Sequence, residues 1–133
     1  MLDHAGFAVS DYERSKAFYA QALAPLGITV LMEPMGEAAG FGKDGKPFFW
    51  VEMRGAAVTG RLHLAFRVDS RAEVDAFHAA ALEAGARDNG PPGFRPAYSE
   101  TYYAAFVLDP NGNNIEAVFR GDAPSRKGQP LRR

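Results

Sequence analysis

His4-Ala-Gly-Phe-Ala-Val9 returns 59 residues later as His63-Leu-Ala-Phe-Arg-Val68, and this recurrence decides the fold. Each stretch alternates like a strand and runs into a helical segment. Ala17, Phe18, Ala20, Ala22 and Leu23 in the first copy answer to Ala76, Phe77, Ala79, Ala81 and Leu82 in the second. Over residues 4–27 against 63–86, eight of 24 paired positions are identical, and one of them is a histidine. A repeat of this kind means two similar modules packed together. A histidine kept at both equivalent positions points to a binding role where the modules meet.

Breakers divide each module in the same way. In the first, residues 2–9 form a strand. Ser10 and Glu13 have capping-box spacing and open a helix to about Ala24, which Pro25 and Gly27 end. Strands follow near 28–33, 37–41 and 47–53, interrupted by Pro34, Gly36 and Lys43-Asp-Gly-Lys46. Residues 55–60 are a small-residue linker. In the second, strand 61–68 precedes a helix capped by Ser70 and Glu73, with Val74, Phe77, Ala81 and Leu82 on one face. A weak strand near 86–89, a loop rich in Pro and Gly over 90–100, and strands 101–108 and 113–119 complete it. The plan is βαβββ twice, an α+β fold with mostly antiparallel sheet. By size this is a single domain over 1–119, with modules of about 2–54 and 61–119.

The net charge of −1 hides an asymmetry. Residues 120–133 hold five Lys/Arg and one Asp and read as a basic flexible tail; the rest hold ten Lys/Arg and fifteen Asp/Glu. An acidic body offers no footprint for nucleic acid. No apolar run is long enough to cross a membrane. The absence of cysteine removes disulfides, thiolate nucleophiles and Cys-type zinc sites. With no charged-then-apolar leader, the expected compartment is the cytoplasm.

The Asp109-Pro-Asn-Gly112 turn specifies a register. Pro110 cannot take positive φ, so a two-residue type I′ loop is excluded. A type I turn followed by left-handed Gly112 pairs Asp109 with Asn113, sets Phe106 across from Glu116, and puts Tyr102 further along the same face. Alternation then splits the strands. Apolar sets such as Phe7 and Val9, Leu64 and Phe66, Phe49 and Val51, and Ile115 and Ala117 suit covering by helices. The opposite faces carry His4, Glu52, His63 and Glu116, one from each of four strands. Two imidazoles and two carboxylates can converge on one divalent cation, and such donors suit Ni, Zn, Mn, Co or Fe rather than Ca. For Glu52 a plain exposed strand edge, with Trp50 and Arg54 beside it, is the competing reading.

On these residues the chain resembles the vicinal oxygen chelate superfamily, which includes glyoxalase I, bleomycin-resistance proteins, thiol transferases acting on fosfomycin, and extradiol dioxygenases. His4-Ala-Gly-Phe-Ala-Val-Ser-Asp11 with Arg14-Ser-Lys-Ala-Phe-Tyr19 is similar to the family's first strand and helix. Leu62-His-Leu-Ala-Phe66 is similar to its second metal strand, and Leu108-Asp-Pro-Asn-Gly-Asn-Asn-Ile-Glu116 to its last hairpin. The resemblance covers about residues 2–119. It implies a cupped, barrel-like sheet around a divalent metal, with helices outside and modules paired within one chain or exchanged in a homodimer. His4, Glu52, His63 and Glu116 match the ligand set of bacterial glyoxalase I (lactoylglutathione lyase). That match implies Glu52 or Glu116 as the catalytic base and a small-molecule substrate with adjacent oxygens, handled with a thiol cosubstrate. A three-ligand site of His4, His63 and Glu116 implies instead a thiol transferase or a dioxygenase. A metal-free drug-binding protein is the third alternative. For substrate contacts, Arg95 can hold an anion, Tyr98 and Tyr102 can line the mouth, and Phe106 and Trp50 can form apolar walls.

Overall fold

Strand alternation and helix capping place eight strands and two helices along residues 1–121, the residues that the computed structural model describes. The strands are β1 Ala5–Ala8, β2 Thr29–Met32, β3 Ala38–Lys43, β4 Lys46–Glu52, β5 His63–Arg67, β6 Arg87–Phe94, β7 Tyr103–Leu108 and β8 Asn114–Phe119. The helices are α1, Tyr12–Leu23, and α2, Arg71–Glu83. The tail read over 120–133 lies outside the described residues from 122 onward. No described helix is long and apolar enough to cross a membrane.

Two four-stranded mixed sheets result, ordered β1-β4-β3-β2 and β5-β8-β7-β6. In each, the first strand of the module pairs in parallel with the last and the other two pairings are antiparallel. The α+β class with mostly antiparallel sheet is the architecture expected from the repeat; the sheets are cupped, as the resemblance implies, and do not close into a barrel. The identical order in both halves is the repeat expressed in three dimensions. Each sheet turns its apolar face to the helices, where Phe7, Phe18, Tyr19, Phe41, Phe49 and Val51 join Val74, Phe77, Val107 and Ile115 in one core. The Phe49 and Phe66 rings meet edge to face across the two modules, with centroids 5.2 Å apart.

Local chemistry accounts for the ends of the elements, with three departures from expectation. Ser70 caps α2 as predicted, accepting from Glu73 N, while Glu73 reaches back to Asp69 N. For α1 the cap is Asp11, not Ser10: its carboxylate accepts from Arg14 N, and Ser10 Oγ instead accepts from Asn111 Nδ2. Leu82, expected on the buried face of α2, is 38% exposed, because Val74, Phe77 and Ala81 already fill the contact. The predicted loop over 90–100 is strand as far as Phe94. β6 is an edge strand whose register slips at Gly90 and Gly93, so Pro91 and Pro92 fall where the ladder is interrupted. Lys43-Asp-Gly-Lys46 turns tightly with positive φ at Asp44 and Gly45, the two-residue hairpin form.

The Asp109–Asn113 turn adopts the predicted register: Asp109 N donates to Asn113 O, Gly112 has φ 79°, and Phe106 pairs with Glu116. It also joins the modules. Asp109 Oδ1 accepts from the backbone of Asn111 and Asn113, and Asp109 Oδ2 accepts from the buried Tyr19 hydroxyl of α1 at 2.5 Å. Asn113, fully buried, accepts from Leu62 N and donates to Val58 O in the linker. Burial and the Asp109 carboxylate push the Tyr19 phenol well above its usual pKa, so it stays a donor.

Candidate functional site

The second module brings most of the predicted residues to one place. β5 and β8 run parallel, with His63 opposite Asn114 and Ala65 opposite Glu116. Their side chains on the face away from the helices converge: His63 Nε2 lies 3.0 Å from Glu116 Oε1. Tyr102, just before β7, donates its hydroxyl to the other carboxylate oxygen of Glu116. Glu116 is only 1% exposed, whereas His63 is half exposed. A buried carboxylate is costly unless its oxygens are paired; the Tyr102 hydroxyl bonds one, and the His63 imidazole stands in ion-pair range of the other. Burial and Glu116 push the Tyr102 phenol up to about 12, so it donates at neutral pH.

A cavity of about 650 Å³ opens over this pair, lined also by Ala97, Tyr98, Phe106 and Asn114. Phe106 stacks with the His63 ring at an interplanar angle of 22°, and Tyr98 meets Tyr102 edge to face. Arg95 lies 5.3 Å over the Phe106 ring. Its guanidinium is held by the Gly93 and Pro91 carbonyls, so its plane is set before any anion arrives.

The first module's residues lie apart. His4, hydrogen-bonded to Asp3, and Trp50 line a different cavity of about 640 Å³. Glu52 lines neither cavity. The repeat makes the difference explicit. Gly6 corresponds to Ala65; Ala65 pairs with Glu116, but Gly6 pairs with Trp50. Trp50 thus occupies the position equivalent to Glu116. Glu52 pairs with Ala8, four residues beyond His4, or about 13 Å along the strand.

Two residues at this site had no predicted role. Asn114 and Arg120 lie on β8's alternation with Glu116, and Arg120 stacks over the Tyr102 ring at 5.1 Å. Period-two counting from Glu116 identifies both; reading Arg120 as tail obscured it. His78 of α2 bonds Asp88 at 3.0 Å and holds the Asp88 carboxyl below its usual range.

The donor set fits a divalent ion in part. His63 Nε2 and Glu116 Oε1, 3.0 Å apart, are an imidazole and a carboxylate donor close enough together to serve one ion. Among the described residues no three His, Asp or Glu side chains gather around one point, so one copy of the chain brings two donors together.

The sequence model of the Glyoxalase/Bleomycin resistance protein/Dioxygenase superfamily matches residues 1–117. No curated protein matches the chain significantly. Among solved structures, a glyoxalase/bleomycin resistance protein from Albidiferax ferrireducens T118 is 32% identical, with a TM-score of 0.76, covering 90% of this chain and 98% of that one. A glyoxalase-related enzyme from Fulvimarina pelagi is 21% identical with a TM-score of 0.69, over 98% of this chain and 96% of that one. A lactoylglutathione lyase from Agrobacterium tumefaciens is 18% identical with a TM-score of 0.66, over 90% and 92%. The last two are likenesses of fold.

Proposed function

The chain belongs to the Glyoxalase/Bleomycin resistance protein/Dioxygenase superfamily, and from that premise we propose that it is a divalent-metal-dependent enzyme acting on a small molecule with adjacent oxygens. The observation that carries this reading is the His63–Glu116 pair, with its second carboxylate oxygen taken by Tyr102. His63 and Glu116 supply two donors. His4 of a second copy supplies the third, because within one chain His4 borders another cavity. The working form is therefore a homodimer with exchanged modules. His63, Glu116 and the second copy's His4 would hold the divalent ion, which when bound would supply Lewis-acid stabilisation of negative charge on the two substrate oxygens. Tyr102 keeps one oxygen of Glu116 occupied and so orients the other. Phe106 and Tyr98 wall the cavity, and Arg95 offers its preset guanidinium to an anionic substrate group.

The register favours three protein ligands, because Trp50 stands where a second carboxylate would be. That points to a thiol transferase or dioxygenase type of chemistry. The second reading is a four-ligand, lactoylglutathione lyase-like enzyme in which Glu52 joins the set and serves, with Glu116, as base; its face, shared with His4, supports it. Glu52→Ala separates the two: little change in metal uptake favours three ligands, and loss of metal and turnover together favours four.

Mixing variants tests the assembly itself. His4→Ala and His63→Ala should each abolish uptake of one divalent ion per site. Co-refolded together, they should regain it, because each heterodimer rebuilds one intact site from the His4 of one chain and the His63 of the other. No recovery in verified heterodimers would reject the shared site. Full occupancy in His63→Ala alone would reject this site assignment, whereas tight drug binding by metal-stripped protein would favour a metal-free binding protein.

A further inference from the structure

Trp50 is seated with unusual care for a residue on the open face of a sheet. A Cβ built on Gly40 would meet three consecutive ring atoms, Cη2, Cζ2 and Cζ3, at 2.7, 2.8 and 2.9 Å. Near-equal distances to three neighbouring atoms mean that the ring presents its face to Gly40; an edge-on approach would make one distance much the shortest. A Cβ on Gly6 would lie 3.0 Å from Trp50 Cβ. Neither glycine has positive φ, so the backbone does not demand glycine at either position. What the two glycines provide is space, and it lets the indole lie flat on the sheet. The opposite ring face then turns outward, to the cavity of about 640 Å³ that His4 also lines.

We propose that the outward face of Trp50 is a stacking platform that selects a planar, conjugated ring in the substrate. The core-directed residues of this strand, Phe49 and Val51, are 2% and 0% exposed, so Trp50 adds nothing to the core and stands on the other face. A flat aromatic surface beside a metal-competent histidine can hold a second ring in the offset-stacked arrangement that ring quadrupoles favour. The inference names the substrate class for the site proposed above, and it rests on that reading only in taking His4 as the neighbouring donor.

Trp50 is the chain's only tryptophan, so its emission reports this surface alone. Benzamide and cyclohexanecarboxamide form a matched pair, both neutral and differing in ring planarity. Benzamide should perturb the emission saturably and bind about three- to tenfold more tightly than its saturated counterpart. Gly40→Ala, which lifts the indole off its seat, should erase that preference with the thermal melt showing a folded chain. Trp50→Leu, read by equilibrium dialysis, should erase it as well. Equal affinity for both amides, no saturable response, or a preference that survives both variants would overturn the platform. Metal uptake measured on the same samples separates the two readings. Ring selectivity without metal uptake overturns the metal enzyme and leaves the platform, and metal uptake without ring selectivity does the reverse.

Discussion

At the scale of single residues, Glu116 is the group on which the candidate site turns. It is a fully buried carboxylate whose two oxygens go to different partners, His63 and Tyr102. Tyr102 touches no reacting atom in this scheme, so it is a positioning residue. With its phenol pushed up to about 12 by burial and Glu116, it remains a donor across the neutral range. Tyr102→Phe should therefore leave the fold in place and weaken divalent-metal affinity roughly 10–100-fold, the usual effect of removing a group that orients a ligand. Competition titration with a chelator measures it, and unchanged affinity would remove Tyr102 from the site. Tyr19 performs a parallel task in the core. Tyr19→Phe strips a buried acceptor, Asp109, of its inter-module donor and should cost about 1–3 kcal/mol in denaturant unfolding. The two tyrosines differ in legibility. Tyr102 falls on Glu116's face by counting along a hairpin, whereas Tyr19 meets Asp109 across 90 residues, and no local pattern announces that contact.

Elements were legible in the sequence where local chemistry specifies them. The last hairpin is the clearest case, since Pro110 and Gly112 admit one loop form and that form sets Phe106 opposite Glu116. β6 was read short because Gly90-Pro-Pro-Gly93 has the composition of a loop, yet an edge strand tolerates it by slipping register. The pairing of β1 with β4 is parallel and joined by no turn, so its register was not written locally; alternation gave the face of Glu52 but not that Trp50 pairs where Glu116 does in the other module. A further tie also spans elements: Glu33, before β3, accepts from Lys16 and Tyr12 of α1. Lys16, and then Tyr12, hold the Glu33 carboxyl below its usual value. A carboxyl depressed in the folded state contributes stability above its unfolded pKa of about 4.3 and loses it as pH falls through the lower folded value. Glu33→Gln should therefore lower the melting temperature at neutral pH, and the gap from the wild type should shrink below the ordinary carboxylate range. A gap independent of pH would show that the charge is immaterial.

For the whole molecule, the decisive fact is that the repeat is complete while its two equivalent histidines border different cavities. Both sheets have the same strand order, and β1, which follows His4, and β5, which carries His63, lie at the sheet edges. One cavity holds His63 and Glu116, and another holds His4. If the third donor comes from a second copy, metal affinity and association are linked: metal binds the dimer better than the monomer and must tighten the dimer by the same factor. Serial dilution tests this without any substitution. Apparent metal affinity should fall as protomer concentration drops through the dimer dissociation constant, and added metal should shift the monomer–dimer boundary in sedimentation toward dimer. His4→Ala should abolish that shift, since its dimer offers the ion no more donors than its monomer does. An affinity that stays constant while the protein passes from dimer to monomer would mean that one copy holds the metal unaided, and the exchanged assembly would have to be given up.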